Sequence, residues 1–117
     1  MDEAVEVSAI GKYVRMSPQK VRLVVDQVRG KGVDEALTML KFMPQAAAKP
    51  VYKVIRSAVA NAEENEGLDR EDLYIARITA DGGPTRRWRR FGARGRFKPI
   101  RKRSTHIAVV LREREIV

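Results

Sequence analysis

Residues 86–103 read RRWRRFGARGRFKPIRKR, with ten Lys or Arg in eighteen positions and no Asp or Glu. Eight of the ten cations are Arg. A guanidinium grips phosphate through two parallel N–H donors and stacks on bases, whereas an ammonium acts as a point charge. Trp88, Phe91 and Phe97 interleave with the cations, and such aromatics offer faces on which unpaired bases stack. Gly92 and Gly95 permit a turn and close backbone approach. The chemistry written here is recognition of a polyanion that carries bases. The charge balance isolates it further. The chain has 24 basic and 15 acidic side chains, net +9; without 86–103 the balance is 14 against 15, or −1. Neighbouring cations in such a stretch lie within a Debye length of about 8 Å and repel one another until an anion intervenes.

The binding candidates in this stretch are Arg86, Arg87, Trp88, Arg89, Arg90, Phe91, Arg94, Arg96, Phe97, Lys98, Arg101, Lys102 and Arg103. A second group, Lys12, Arg15, Lys20 and Arg22, surrounds an expected strand–helix junction. There a helix N-terminus would add its own attraction for phosphate, and the alternative is an ordinary solvated surface. A bare basic tail would bind any polyanion, but the interleaved aromatics argue against it. Arg94-Gly95-Arg96 resembles the core of minor-groove DNA binders, with Phe97 in place of the expected Pro. A DNA architectural protein is therefore the competing reading.

Other chemistries find little support. His106 is the only histidine and has no nucleophile in a recognisable arrangement, so no catalytic residue is assigned. With no cysteine there is no disulfide, thiol nucleophile or cysteine-ligated metal. Asp69, Glu71 and Asp72 lack the spacing of a calcium loop and read as a polar connector. No Gly-rich nucleotide loop occurs, and neither metal nor cofactor is expected. The acidic start Met1-Asp2-Glu3 is unlike a secretory or transit leader, and no apolar run approaches the roughly 18–20 residues of a membrane span. A cytoplasmic protein with no membrane partner is expected.

The elements that must position the cations follow from periodicity. Residues 5–16 alternate as a strand, with Val5, Val7 and Ala9 on one side. Ser17 and Pro18 announce a helix as N-cap and first residue. Its stripe is Val21, Val24, Val25 and Val28, and Gly30 ends it. A second helix spans about 34–42, with Ala36, Leu37 and Leu40 inward. A third is expected from about 44 to 64, with Val51, Val54, Ile55, Ala58, Val59 and Ala62 inward and a kink or loosened turn at Pro50. Residues 73–80 and 104–111 read as strands. They bracket the basic stretch, so one long hairpin of about 30 Å is expected rather than a tail. At 117 residues there is room for one domain, 1–117, with the hairpin at 81–104.

Three blocks carry a family resemblance. Gln19-Lys20-Val21-Arg22-Leu23-Val24-Val25-Asp26, continuing to Arg29-Gly30-Lys31, is the first. Ser57-Ala58-Val59-Ala60-Asn61-Ala62-Glu63 is the second. The third begins at Asp81-Gly82-Gly83-Pro84, includes Ala93-Arg94-Gly95-Arg96, and ends at Arg101-Lys102-Arg103-Ser104-Thr105-His106-Ile107. In this order and spacing the chain resembles the universal twenty-two family of large-subunit ribosomal proteins, in its short bacterial form. The resemblance implies an α+β fold: three helices packed on a three-stranded antiparallel sheet, with a long projecting β-hairpin. It implies binding to the large (23S) rRNA, contact with other large-subunit proteins, a part in early subunit assembly, and no enzymatic activity. It also implies that the hairpin lines the polypeptide exit tunnel beside the nascent polypeptide. Its tip, Arg89, Arg90, Phe91, Gly92 and Ala93, would then lie near the region where macrolides bind.

Overall fold

The computed structural model describes residues 5–83, 86–91 and 97–114; for 86–91 and 97–102 the description is of backbone pairing. Strand β1 (Glu6–Val14) is followed by helices α1 (Pro18–Val28), α2 (Val33–Lys41) and α3 (Ala48–Glu66). A single 3-10 turn at Arg70–Asp72 leads into β2 (Leu73–Gly82), then β3 (Arg86–Phe91), β4 (Phe97–Lys102) and β5 (Thr105–Glu113). Strands β1, β5 and β2 form an antiparallel sheet in that order, and β3 pairs with β4 alone. This is the expected α+β architecture.

The sheet is buried on one face only. Val7, Leu73, Ile75, Ile78, Ala80, Ile107, Val109 and Leu111 join the valine stripe of α1 and the inward residues of α2 and α3 in one core. Period-two alternation makes this legible along β5, where Thr105, Ile107, Val109 and Leu111 are buried and their neighbours half-buried. Val5 and Ile10 stay exposed.

Three local expectations change. Ser17 stands at the N-cap of α1 with extended backbone, but its side chain makes no capping bond. Helix α3 starts at Ala48, four residues later than expected, because 42–47 form turns closed by Met43 N–H to Leu40 O and Ala48 N–H to Gln45 O. Pro50 is thereby the third residue of α3. In the first turn its missing N–H is one of those a helix leaves unpaired anyway, so no kink is needed. At the other end, Gly67 adopts φ 64° and both Gly67 N–H and Leu68 N–H turn back to Ala62 O.

Strand β2 is an edge, and the chain covers it. Arg22 Nε donates to Ala80 O at 2.9 Å and Arg29 Nη2 to Ile78 O at 3.0 Å. Gly30 N–H donates to Ile75 O, and Ile75 N–H to Lys31 O. Helix α1 and the turn after it thus satisfy backbone groups that an open edge would offer to other chains.

The molecule is elongated, 69 × 28 × 21 Å, with a radius of gyration of 17.7 Å. A compact chain of this length would have about 13 Å. The excess agrees with a ribbon that leaves the helical head.

Candidate nucleic-acid interface

Strands β3 and β4 continue the β2–β5 pair outward. Across the ribbon Arg86 faces Lys102, Arg87 faces Arg101 and Arg90 faces Lys98, while Trp88 faces Ile100, Arg89 faces Pro99 and Phe91 faces Phe97. Three of six pairs therefore set cation against cation. Like charges directly opposite weaken an antiparallel pair, and 86–103 contains no acidic residue to offset them. A phosphate backbone would supply the missing counter-charge. The ladder holds Arg89, Arg90 and Phe91, so these three of the expected tip residues belong to a paired arm. Gly92, Ala93, Arg94 and Arg96 lie outside the described residues.

Ribbon and head meet at an irregular joint. Gly82 pairs with Thr105 and Arg86 with Lys102, so the register differs by one between the two ladders. Gly83 N–H donates to Ser104 O at 2.9 Å. A Cβ on Gly83 would lie 2.5 Å from Ser104 Oγ and 3.2 Å from His106 Nε2, so a larger residue here requires both side chains to shift.

The root of the ribbon gathers the second predicted group. Strand β1 ends here with Val14 opposite Thr105, and Pro18 of α1 lies beside Gly82. Lys12, Arg15, Lys20 and Arg103 are exposed and form no ion pair among the described residues. Arg22 differs, since its Nε is engaged by Ala80 O; this guanidinium is part of the edge covering. Periodicity gave no sign of that role, which depends on where α1 crosses β2.

Sequence reasoning also missed what Tyr13 does. It is exposed, yet it adopts φ 59°, unusual for a non-glycine residue, at an irregularity where β1 shifts register between Gly11 and Val14. Its N–H donates to His106 Nδ1 at 3.1 Å, and the two rings meet edge to face with centroids 5.0 Å apart. Because a backbone N–H can only donate, Nδ1 is the unprotonated nitrogen and Nε2 carries the proton. His106 is therefore a latch between β1 and β5 at the ribbon root. Thr105 is fully buried, and its Oγ1 donates to Met16 O at 2.6 Å, tying the same corner to the start of α1. No group of three or more potential metal-ligating side chains occurs among the described residues.

The ion pairs lie elsewhere. Arg70 bridges Asp34 at 3.0 Å and Glu63 at 4.0 Å, and Lys31 meets Glu35 at 3.5 Å. Arg112 binds Glu6, whose hydrogen bond and charge push the guanidinium pKa further up. These pairs sit toward the end of the sheet where β2 begins, and Arg29–Asp26, at 2.7 Å, lies beside the middle of β2. Among the described residues, Lys12, Arg15, Lys20 and Arg103 near the ribbon root form no ion pair.

A ribbon of opposed cations on a near-neutral head has a counterpart among known families. The family model described as ribosomal protein L22p/L17e matches residues 9–112. The chain belongs to this family. It is 53% identical over 111 residues to the large ribosomal subunit protein uL22 of Synechococcus sp. (strain JA-3-3Ab), covering 95% of this chain and 90% of that one. It is 52% identical over 110 residues to the protein of the same name from Thermoanaerobacter sp. (strain X514), covering 94% and 99%. The match takes in helices, sheet and ribbon together, and membership makes the chain a structural protein rather than an enzyme.

Proposed function

We propose that the protein is a structural constituent of the large ribosomal subunit that docks on the large (23S) rRNA through its ribbon. The observation that carries this is the β3–β4 register, which places Arg86, Arg87 and Arg90 opposite Lys102, Arg101 and Lys98 in a stretch free of carboxylates. Opposed like charges weaken such a ribbon, and phosphates that neutralise them relieve that cost. Arg dominates because bidentate contact fixes orientation as well as charge. Trp88, Phe91 and Phe97 stack on or wedge between unpaired bases. The root cations Lys12, Arg15, Lys20 and Arg103 hold phosphates where the ribbon leaves the head.

The finer reading follows the family. The ribbon reaches into the subunit and lines the polypeptide exit tunnel beside the nascent polypeptide, with its far end near the macrolide region. The head contacts neighbouring large-subunit proteins nearer the surface, and binding occurs early in subunit assembly, in the cytoplasm. An elongated molecule with its charge in the extension supports that reading. The test is sedimentation. Tagged protein expressed in a bacterial host is expected to travel with the large subunit and remain there after a high-salt wash. Release by the wash, or recovery with chromosomal DNA, refutes the proposal.

A further inference from the structure

The two edges of the three-stranded sheet differ. The β2 edge is covered by Arg22, Arg29 and the turn after α1. Strand β1 is the other edge. Among the described residues, no hydrogen bond reaches the backbone of residues 6–12 from any element but β5. Charges, prolines and bulges normally keep an open edge from pairing with another strand. Residues 7–11, Val-Ser-Ala-Ile-Gly, have neither charge nor proline, and the irregularity of β1 falls only after Gly11. Ile10, on the open face, is 61% exposed. Such an edge is a template for strand addition.

The strand that fits it is β1 itself. Laid antiparallel about Ala9, Glu6 faces the partner's Lys12, Val7 the partner's Gly11, and Ser8 the partner's Ile10. Even positions keep the open face and odd positions the core face, so no side chain changes side. A shift of two residues either way loses both charge pairs. Arg112 holds Glu6 through Oε1, which leaves Oε2 for the partner's Lys12. Lys12 is exposed and has no ion pair among the described residues. Ile10 meets the partner's Ile10 on the diagonal across the axis.

Helix α3 repeats the pattern beneath the sheet. Val54 packs on Gly11 of β1, while Glu63 turns toward α2 through Arg70 and Asp34. At about 100° per residue, the flank beyond Val54 and away from α2 carries Ser57, Asn61 and Glu64, with Lys53 beside them. All four are exposed, and neither Lys53 nor Glu64 has a side-chain partner among the described residues. Helix α3 runs against β1, from Gly11 toward the Glu6 end. Two strand residues, Gly11 to Ala9, span about 6.6 Å, or about four residues of helix. The axis therefore passes level with Ala58, brings Lys53 to the partner's Glu64, and leaves Ser57 and Asn61 where the helices approach.

We propose that the free protein forms a twofold dimer, in which the β1 edge and the overhanging flank of α3 take a second copy of this chain. The interface is isologous, each contact occurring twice. It joins two sheets into one of six strands whose remaining edges are the covered β2 edges. The basic ribbon leaves the sheet where β1 ends, since Val14 and Gly82 both pair with Thr105. Antiparallel pairing sends the two ribbons out at opposite ends and keeps their cations apart. One strand and one helix flank form an interface below the standard size, so the dimer is weak, about micromolar or weaker. It forms without RNA and is independent of the rRNA reading.

The test is analytical ultracentrifugation of the full chain, free of RNA, from about 1 μM to about 1 mM in about 0.15 M salt. The parent is expected to pass from monomer to dimer across that range. Ile10→Lys, which sets lysines across the axis on an exposed position, is expected to remain monomeric. Lys53→Glu and Glu64→Lys each put like charges opposite one another twice over and are expected to weaken the dimer about tenfold. The double variant K53E/E64K re-pairs them and is expected to return to within about threefold of the parent. All three α3 variants are expected to melt no lower than the parent, because the positions are exposed and the changes suit the α3 dipole. A parent that stays monomeric at every concentration overturns the proposal and leaves the edge to a foreign strand. A dimer indifferent to Ile10→Lys, or a double variant no tighter than the singles, overturns this interface.

Discussion

Gly11 offers a sharp test of how α3 is seated on the sheet. An added Cβ would lie 2.5 Å from Val54 Cγ2, nearly an ångström inside ordinary contact. The backbone itself tolerates alanine, because Gly11 is not among the residues with positive φ. Val54 cannot simply rotate, since a β-branched side chain in a helix has essentially one χ1 well. Overpacking of this kind costs about 1–3 kcal/mol. Restricting the unfolded chain returns about 0.4–1 kcal/mol. Gly11→Ala is therefore expected to destabilise by about 1–2 kcal/mol, or about 4–8 °C in Tm for a chain of this length. In a Val54→Ala background the clash is gone, and the same substitution becomes neutral or stabilising. Urea unfolding of the four proteins is expected to give a coupling of about 1–3 kcal/mol with constant m-values. Equal destabilisation in both backgrounds would refute the packing of α3 on β1.

Three further outcomes follow from the root and the ribbon. Thr105→Val keeps the shape but leaves the Met16 carbonyl without its donor at a part-buried corner, so a loss of about 0.5–1.5 kcal/mol is expected by thermal melting. His106→Phe keeps an aromatic ring against Tyr13 but removes the Nδ1 acceptor, and faster hydrogen exchange at the Tyr13 amide is the expected signature. In free protein the β3 and β4 amides are expected to exchange faster than those of β5, because a lone two-stranded ribbon is marginal and three of its pairs oppose like charges. Protection of residues 86–91 equal to that of Ile107, Val109 and Leu111 would contradict the repulsion argument.

Much of the architecture was legible in the residues, for identifiable reasons. The valine stripe of α1 and the alternation of β5 follow directly from the two periods of 3.6 and 2. The two strands bracketing a charged run were enough to expect a hairpin. The start of α3 was not legible, because Pro44 and Pro50 both suit a first turn and only the turns at 42–47 decide between them. Arg22 read as one of the phosphate-binding cations at the strand–helix junction; its engagement by Ala80 O comes from the crossing of α1 over the β2 edge, a tertiary fact with no local signature. The Tyr13–His106 latch joins residues 93 apart and depends on a bulge that periodicity cannot locate.

The account rests on the ribbon cations meeting rRNA phosphates. The direct measurement is the salt dependence of binding to a large-subunit rRNA transcript and to duplex DNA, for the parent and for R87Q/R101Q/K102Q. The parent is expected to bind the transcript more tightly than the duplex, with a steep log–log slope. The variant is expected to lose about 2 of that slope, at roughly 0.7 per phosphate contact, with an unchanged melting temperature for the head. A slope that survives the three substitutions, or equal affinity for the two polymers, would contradict the assignment of the ribbon as an rRNA-binding finger.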